Sequence, residues 1–347
     1  SQASDSLYQA AGAAVVNGDV LSGADVILSV NPLTAAQFTS VKKGAITISF
    51  LSPNQSLDSI GAAAKAGATA FSLELVPRIS RAQSMDALTS QALCAGYRAA
   101  LVAAELSPRF FPLLMTAAGT VTPANVVVLG AGVAGLQAIA TARRLGAVVS
   151  AYDVRPASAD EVRSMGATFI DLKLEALEGA GGYAREMTEE RAAKQRELLT
   201  PYLANADVVI TTAAVPGRPA PRLVTEEMVA AMKPGSVIVD LAAESGGNVA
   251  GALPGEIVEK NGVRIWGGKD VPSQLAFHAS QLFAKNCMNL LLLMVKSESD
   301  ANGSTKSSLH LDFDDEIIAA SAVTHEGEVR HEGARASLAN GASGGAR

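Results

Sequence analysis

Glycines at positions 130, 132 and 135 have the spacing of a turn that binds the pyrophosphate of a dinucleotide. The apolar run Asn125–Leu129 precedes this turn and is predicted to be a strand, and Leu136–Leu145 is predicted to be a helix. In that setting the first glycine permits the tight turn, the second lets a pyrophosphate approach the backbone, and the third lets the helix pack against the sheet. A glycine-rich turn without a ligand would show the same spacing, so the motif alone leaves both interpretations open.

An acidic residue stands where such a site needs a partner for the adenosine ribose. The next predicted strand, Val148–Tyr152, is followed at once by Asp153, which lies 18 positions beyond Gly135. An ionised aspartate accepts hydrogen bonds from both ribose hydroxyls but repels a 2′-phosphate, so the sequence predicts binding of NAD(H) in preference to NADP(H). Arg155 leaves two interpretations open, because it either contacts the cofactor or is a solvated residue at the start of the next helix.

Short apolar runs alternate with helical patterns on both sides of this motif, as in α/β proteins with parallel sheets. Before the motif we expect strands at Ala24–Val30, Ala45–Leu51 and Ala68–Leu75, a helix at Leu57–Lys65, and a long helix from Ser84 to about Leu106. From the motif onward we expect six parallel strands, at Asn125–Leu129, Val148–Tyr152, Thr168–Ile170, Val208–Thr211, Val237–Leu241 and Val263–Trp266. The predicted fold class is therefore α/β, with two Rossmann-like domains joined by long helices, the second a doubly wound dinucleotide-binding domain.

The predicted domain organisation has four segments. Residues 1–119 form the first domain with the linking helix, 120–279 the nucleotide-binding domain, 280–330 a helix and a segment that returns to the first domain, and 331–347 a disordered tail. In the third segment we expect a helix at Ser280–Val295, a linker in the Ser- and Asn-rich stretch Ser297–Ser308, and a hairpin turn at Glu326-Gly327.

Composition excludes several classes of protein. The net charge of -6 argues against nucleic acid as the main partner, because phosphate binding needs a basic field. Cys94 and Cys287 are the only cysteines, so we expect neither a disulfide framework nor a secreted protein, and no cluster of metal ligands is visible. The longest apolar run, Leu290–Val295, is far below the roughly 20 residues that span a bilayer, so no membrane span is expected in this chain.

A run of polar residues at Pro77–Asp86 is not explained by periodicity, because two arginines, a glutamine and an aspartate crowd where a strand meets a helix. This run resembles the Arg-Gln-Asp loop of the NAD(H)-binding component (alpha subunit, domain I) of proton-translocating NAD(P) transhydrogenase, whose fold is shared with alanine dehydrogenase. The similarity extends over nearly the whole chain to about Val295, through Arg109–Phe111, the Gly130 motif, Tyr152–Pro156, Gly181–Met187, Thr211–Gly217 and Lys233–Asn248.

The resemblance implies an enzyme component, Re/Si-specific, that exchanges hydride between NAD(H) on this chain and NADP(H) on a partner, coupled to proton translocation. The implied partners are the NADP(H)-binding and transmembrane components and a second copy of the chain. The implied location is the cytoplasmic or mitochondrial-matrix side of a membrane, reached through those partner subunits. Hydride transfer between two nicotinamides needs positioning and electrostatics more than an acid–base pair. The four histidines, His278, His310, His325 and His331, are accordingly expected to be surface or packing residues.

The resemblance also implies the site residues. Arg78, Gln83 and Asp86 are the implied catalytic group, and with Thr89 they surround the nicotinamide and its ribose, Gln83 also reaching toward the partner's NADP. Without the resemblance these residues would be interpreted as a helix cap and surface charges. The implied cofactor-binding residues are Arg78, Gln83, Asp86, Thr89, Gly130, Gly132, Val133, Ala134, Gly135, Asp153, Val154, Arg155, Gly182, Tyr183, Met187, Thr212 and Ala213. No metal site is implied.

Lys173–Glu190 is the segment that would close over the cofactor, with Gly182, Tyr183 and Met187 at its working face. Three glycines in a stretch too long for an ordinary connection favour such a loop. The sequence departs from the family at two points. Thr89 stands where the family has serine, which keeps the hydroxyl and adds a methyl. The family's N-terminal domain begins with further residues before the position of Ser1, so we expect the chain to start within that domain.

Two other functions remain to be weighed. An oxidoreductase resembling alanine dehydrogenase needs a lysine and a histidine in the first domain for amine and keto chemistry. Asn31 and about Ser52 stand at the matching places, which disfavours that function. A non-catalytic NAD(H) sensor would keep the Gly130 motif and Asp153 but would have no use for Gln83.

Overall fold

The computed structural model describes residues 2–174, 188–215, 217–299 and 305–344. The chain divides into two compact units, Ser1–Ser90 with Phe277–Arg347 and Gln91–Ala276. The boundary at Ser90 lies earlier than the expected boundary at residue 119. The reason is that the long helix contributes its later residues, including Ala99 and Ala103, to the core of the second unit, where both are fully buried.

The first third of the chain contains the strands and helices expected from its apolar runs, although most are shorter. Their bounds are α1 Asp5–Ala10, β1 Val26–Leu28, α2 Ala35–Phe38, β2 Ile46–Ser49, α3 Leu57–Lys65, β3 Thr69–Ser72 and α4 Ala87–Leu106. The three strands form one parallel sheet in the order β1-β2-β3. Every residue of β2 and β3 is buried, which explains why these strands appear in the sequence as continuous apolar or small-residue runs.

The middle of the chain forms the second unit. Its elements are β4 Leu114–Thr116, β5 Gly119–Val121, β6 Asn125–Leu129, α5 Val133–Arg144, β7 Val148–Tyr152, α6 Ser158–Ser164, β8 Thr168–Phe169, α7 Glu189–Asn205, β9 Val208–Thr211, α8 Glu226–Ala230, β10 Val237–Asp240, β11 Ile257–Lys260, β12 Val263–Gly267 and α9 Ala276–Leu293, the last of which continues into the first unit.

The main sheet of the second unit has seven strands in the order β11-β12-β10-β9-β6-β7-β8. Six are parallel to their neighbours, as expected, and β11 is antiparallel to β12. Asn261 and Gly262 join these last two strands with φ angles of 54° and 75°, values that a tight hairpin turn requires. Alternate residues of β6 lie in two different cores, Val126 and Val128 in one and Val127 and Leu129 in the other, so both faces of the sheet are covered. The predicted fold class is confirmed.

The end of the chain adds β13 Val295–Ser299, β14 Thr305–Leu309, α10 Glu316–Ser321, β15 Thr324–His325, β16 Glu328–Val329 and α11 Glu332–Gly344. Strands β13 and β14 pair antiparallel from Val295 opposite Leu309 outward, so the linker expected at Ser297–Ser308 is wrong for the described residues. The Ser-rich composition correctly indicates exposure, but exposed polar residues can still pair as strands. The hairpin turn at Glu326-Gly327 is confirmed, with φ angles of 48° and 89°.

Helix α11 replaces the disordered tail expected from residue 331, as far as residue 344. Alanine favours helix more than any other residue, and Ala334 and Leu338 lie one helical turn apart on the same face. Ala334 is fully buried, and Leu338 packs against the same hydrophobic core. Gly61 of α3 allows that approach, because a Cβ at this position would lie 3.7 Å from Leu338 Cδ2. The burial of these two side chains therefore orders a segment whose composition resembles that of a flexible tail.

Candidate functional site

The order of strands in the second unit reverses direction at β6. Strand β7, which follows β6 in the chain, lies on one side of it, and β9 lies on the other. In doubly wound sheets a crevice opens at the carboxyl ends of the strands at such a point, because the loops after the two neighbouring strands run in opposite directions. The Gly130 motif begins immediately after β6 and ends inside α5, so it lies at the edge of the sheet where a ligand is expected.

Two of the three motif glycines are required by the packing of the protein itself. Gly130 has φ 101°, and a Cβ there would lie 2.7 Å from Thr212 Oγ1. A Cβ on Gly135 would lie 1.9 Å from the carbonyl oxygen of Gly130, a separation that no protein tolerates. The turn and the close approach of α5 to the sheet therefore exclude any side chain at both positions.

Gly132 is different, because nothing in the chain demands a glycine there. Its φ of -75° and ψ of -170° are open to any residue, and a Cβ would have no atom within 4 Å. The residue is the N-cap of α5, whose first backbone N–H groups point out of the helix beside it. A bare backbone facing open space at a helix N-terminus is the arrangement that binds a pyrophosphate. Val133 and Ala134 form the first turn of this helix, and both are half-buried.

Asp153 lies directly beside this turn. Its Oδ2 accepts a hydrogen bond of 2.7 Å from the backbone N–H of Ala131, which links the end of β7 to the glycine turn. Arg155 donates to the same carboxylate from its backbone N–H and from its guanidinium, and the ion pair measures 2.9 Å. The side chain of Asp153 is 8% exposed and that of Arg155 is 22% exposed. Arg155 is thus neither fully solvated nor remote from the site, and Val154 between them packs into the core.

Thr212 and Ala213 form the opposite wall of the crevice, after β9. Thr212 Oγ1 donates to the carbonyl oxygen of Gly130 at 3.0 Å. The amide of Asn248 holds the backbone of Ala213 on both sides, accepting from its N–H at 3.0 Å and donating to its carbonyl oxygen at 2.8 Å. Asn248 is completely buried, so it acts as a rigid support for this wall of the crevice.

Asp240 supports the same wall from beneath. Its carboxylate accepts hydrogen bonds from Thr211 Oγ1 at 3.0 Å and from the backbone N–H groups of Ala242 at 2.9 Å and Val249 at 3.0 Å. Burial raises the pKa of Asp240, and these three hydrogen bonds act in the opposite direction. The sequence did not assign a role to Asp240 or Asn248. Their positions just after a buried strand are the only signal that could have suggested one.

Arg78, Gln83, Asp86 and Thr89 lie in the first unit, on and beside a short 3-10 helix, Ser80–Met85, that leads into α4. Asp86 is the residue that caps α4, since Oδ1 accepts from the backbone N–H of Thr89 at 2.8 Å and Oδ2 accepts from its hydroxyl at 2.7 Å. Arg78 and Gln83 are exposed to different degrees, with Gln83 fully at the surface. The capping role that composition alone would give this loop therefore belongs to Asp86 and leaves Gln83 without a structural task among the described contacts.

The loop that carries Gln83 is anchored on both sides. Arg81 donates to both carboxylate oxygens of Asp315, at 2.6 and 3.0 Å, and the Arg81 guanidinium holds the pKa of Asp315 below its usual value. The carbonyl oxygen of Ser84 accepts from the side chains of Asn286 and Asn289 at 2.9 and 3.0 Å. The loop's own apolar side chains, Ala82 and Met85, are buried between these anchors. Gln83 is therefore presented to the surface on a backbone whose neighbours are held in place.

Several predicted residues and segments lie outside the described residues or bring no chemistry. Gly182, Tyr183 and Met187 lie outside the described residues, as does most of the segment Lys173–Glu190. Among the residues that the structure describes, no group of His, Cys, Asp or Glu side chains is arranged to hold a metal ion. Cys94 and Cys287 are buried free thiols, and burial raises the pKa of Cys287 to about 11, which leaves it a poor nucleophile.

No helix within the described ranges combines the length and the apolar character needed to cross a membrane.

Comparison with known proteins agrees with this geometry. The chain matches the family models "Alanine dehydrogenase/PNT, N-terminal domain" over residues 1–95 and "Alanine dehydrogenase/PNT, C-terminal domain" over residues 99–332. It is 48% identical over 337 residues to an NAD(P) transhydrogenase subunit alpha protein of Rhodospirillum rubrum, covering 94% of this chain and 86% of that protein. The crystal structure of transhydrogenase from Sinorhizobium meliloti superposes with a TM-score of 0.81 at 45% identity, over 95% of this chain and 86% of that one.

Alanine dehydrogenase of Mycobacterium tuberculosis is a further relative, 33% identical over 255 residues, which cover 72% of this chain and 63% of that protein. The predicted resemblance is confirmed by these matches. The chain therefore belongs to the alanine dehydrogenase/PNT family, as a relative of the NAD(P) transhydrogenase alpha subunits.

Proposed function

We propose that this chain is the NAD(H)-binding component of a proton-translocating NAD(P) transhydrogenase, Re/Si-specific, which exchanges hydride with NADP(H) bound on a partner component. One observation carries the proposal. Gly132 leaves open space at the start of α5, 2 residues after a glycine that the fold requires, beside a carboxylate placed for a ribose. The relatives that match over most of their own length are named as a transhydrogenase and a transhydrogenase subunit.

The second unit binds the nucleotide in this proposal. The pyrophosphate lies over Gly132, Val133 and Ala134, where the N-terminus of α5 and its free N–H groups favour negative charge. Asp153 accepts the ribose hydroxyls, and Val154 and Arg155 flank them. Thr212 and Ala213 line the other wall. Gly182, Tyr183 and Met187 complete the set on the resemblance alone.

The charge of Asp153 gives the proposed preference for NAD(H). A carboxylate with little exposure cannot be screened well by water, so a 2′-phosphate placed beside it meets a strong repulsion. NADP(H) consequently belongs on the partner component. This division of the two nucleotides between two proteins is what a transhydrogenase needs, because each site then holds one nicotinamide for the other to face.

Arg78, Gln83, Asp86 and Thr89 form the proposed nicotinamide end of the site. Gln83 suits this task because it is exposed on an anchored loop, with the helix-capping role already taken by Asp86. Thr89 keeps the hydroxyl of the family's serine and donates it to Asp86. We infer that Gln83 positions the nicotinamide for the partner's NADP, whereas Asp86 and Thr89 fix the start of α4 beneath it.

The chemistry asks little of the chain beyond position. When bound, the nicotinamide ring supplies the hydride-carrying carbon. The chain's residues hold the ring, orient it toward the partner and exclude water, and no proton moves at the reacting carbons. The histidines agree with that division of labour. His325 shares a hydrogen bond of 2.9 Å with Thr69 and packs on Phe313, and His331 accepts from the N–H of Ala334, so both have packing roles.

The proposed partners are the NADP(H)-binding and transmembrane components of the transhydrogenase, through which the chain associates with the cytoplasmic or matrix face of a membrane. A second copy of this chain is also proposed as a partner. The hairpin of β4 and β5 exposes Met115 at 80%, and the segment leading into it exposes Phe110 at 61% and Leu113 at 56%. Apolar side chains exposed together in this way mark surfaces that other proteins cover.

An alanine dehydrogenase activity is not favoured. Ser52, which stands near the place of the required histidine, has φ 46° and donates its backbone N–H and hydroxyl to Glu74 at 3.0 and 3.3 Å. Glu74 also accepts from Leu51 and Ser72, so this cluster stabilises the end of β2 and offers no imidazole or ammonium for proton transfer.

The test is to mix the chain with an NADP-binding transhydrogenase component and measure single-turnover hydride transfer from NADH. Gln83→Asn should slow transfer at least about tenfold with nearly unchanged NADH affinity, because a shorter side chain loses the near-attack geometry of the two rings. Ser80→Ala, an exposed change in the same loop, is the matched control and should leave both quantities unchanged. Equal losses of rate and affinity in Gln83→Asn would show that Gln83 only binds NADH. An intact, folded chain that transfers no hydride would contradict the proposed function.

A further inference from the structure

We propose that Arg155 competes with the adenosine ribose for Asp153, and thereby limits the affinity for NAD(H) while moderating the exclusion of NADP(H). The inference rests on the proposed nucleotide site. It concerns a residue for which the sequence leaves two roles open, cofactor contact or solvated helix start.

The carboxylate of Asp153 has no acceptor capacity left over in the structure. An ionised carboxylate offers about four lone-pair positions. Oδ1 accepts from the backbone N–H of Arg155 and from its Nε, both at 2.9 Å. Oδ2 accepts from the backbone N–H of Ala131 at 2.7 Å and from Arg155 Nη2 at 2.9 Å. Each oxygen thus has one backbone donor and one guanidinium donor.

The two guanidinium donors occupy the positions that the ribose needs. The backbone donors belong to the glycine turn and to the chain after β7, so they remain when a nucleotide binds. A ribose diol, like the Nε and Nη2 edge of an arginine, presents two adjacent donors to the two oxygens of one carboxylate. The diol and the guanidinium edge therefore exclude each other, and binding exchanges two hydrogen bonds for two.

The exchange has a cost because the ion pair is shielded from water. With 8% exposure at Asp153 and 22% at Arg155, the pair is stronger than a surface ion pair. Only the fraction of chains with the guanidinium displaced can accept the ribose, so the observed affinity for NADH is reduced by that fraction. Removing the guanidinium should therefore tighten NADH binding.

The same guanidinium has the opposite effect on NADP(H). Its charge lies next to the carboxylate that repels a 2′-phosphate, so it offsets some of the repulsion. Without it, Asp153 faces the phosphate alone. The competition thus predicts that one substitution shifts the two affinities in opposite directions, which neither a plain cofactor contact nor a solvated arginine would do.

The experiment is calorimetric titration of the full chain with NADH and with NADPH, for the native chain, Arg155→Ala and Arg155→Lys. Arg155→Ala should bind NADH about fivefold more tightly, which corresponds to ~1 kcal/mol, and should bind NADPH more weakly than the native chain does. Arg155→Lys keeps the charge but has no two-donor edge, so it should also bind NADH more tightly and should retain the native affinity for NADPH. Arg163→Gln is the matched control, because Arg163 pairs with the exposed Asp160 on α6 and should change neither affinity.

Thermal melting establishes that each variant is folded, and Arg155→Lys carries the test if Arg155→Ala does not fold. Weaker or unchanged NADH binding by the folded variants would overturn the inference while leaving the nucleotide site in place. If the native chain bound no NADH at all, the proposed function would fail together with the inference, so the two failures can be told apart.

Discussion

Gly132→Ala should remove nucleotide binding without disturbing the fold. The added methyl has no atom within 4 Å, and the backbone angles at this position suit alanine. Two small effects on stability oppose each other: alanine restricts the unfolded chain, which stabilises by about 0.4–1 kcal/mol, whereas it is a poorer N-cap than glycine by a similar amount. The free energy of unfolding should therefore change by less than about 0.5 kcal/mol.

The affinity for NADH should fall much further than the stability. The methyl occupies the space through which the pyrophosphate reaches the first N–H groups of α5. We expect a loss of at least about tenfold, or ~1.4 kcal/mol. Calorimetric titration with NADH gives the affinity, and urea unfolding without nucleotide gives the stability.

Gly135→Ala is the matched control, since it places the same methyl three residues away. Its Cβ would lie 1.9 Å from the carbonyl oxygen of Gly130, so α5 must move off the sheet. Overpacking of this kind costs about 1–3 kcal/mol, which should lower the Tm by several degrees. A folded Gly132→Ala chain with native affinity for NADH would refute the reasoning, because the open space at Gly132 would then have no ligand to admit.

The site and the surface support three further predictions. Asp153→Asn should narrow the ratio of NADH to NADPH affinity by about tenfold in calorimetric titration, because it removes the charge that repels the 2′-phosphate, and an unchanged ratio would remove that role. Burial raises the pKa of Asp240, so its contribution to stability is complete below its ordinary 3.8 and is lost as pH rises through the raised value. The free energy of unfolding of the native chain, taken relative to Asp240→Asn, should accordingly decrease as pH rises from 3.8, and a difference independent of pH would contradict the raised value. Met115→Asp should convert the proposed dimer to a monomer in analytical ultracentrifugation, since it places a charge on the exposed hairpin, and an unchanged sedimentation coefficient would exclude the hairpin from the interface.

The parallel strands could be predicted from the sequence because both faces of each are covered. β9 and β10 are buried at every residue, so they appear as unbroken apolar runs without any need for tertiary information. The glycine motif was equally accessible, because turn, helix and sheet impose their demands on residues within a few positions of one another. Strand β11 was missed although the Asn261-Gly262 turn, a strong hairpin signal, follows it directly.

The remaining differences have a tertiary origin. Helix α11 is ordered by the burial of Ala334 and Leu338 against residues far away in the chain, which composition does not reveal. Asp240 bonds to Thr211 and Asn248 bonds to Ala213, partners 29 and 35 positions away. Arg155 was left ambiguous because its pairing with Asp153 depends on side-chain geometry, not on spacing.

The most direct test of the central claim is an isotope measurement on the assembled transfer reaction. NADH carrying deuterium at the transferred position of C4 is bound to this chain, NADP to the partner component, and the NADPH formed is analysed by mass spectrometry. Direct hydride transfer predicts that the deuterium arrives in NADPH without exchange with solvent, since no proton moves at the reacting carbons. Loss of the label to water, or no labelled NADPH from a folded chain that binds NADH, would contradict the claim that this chain passes hydride to its partner.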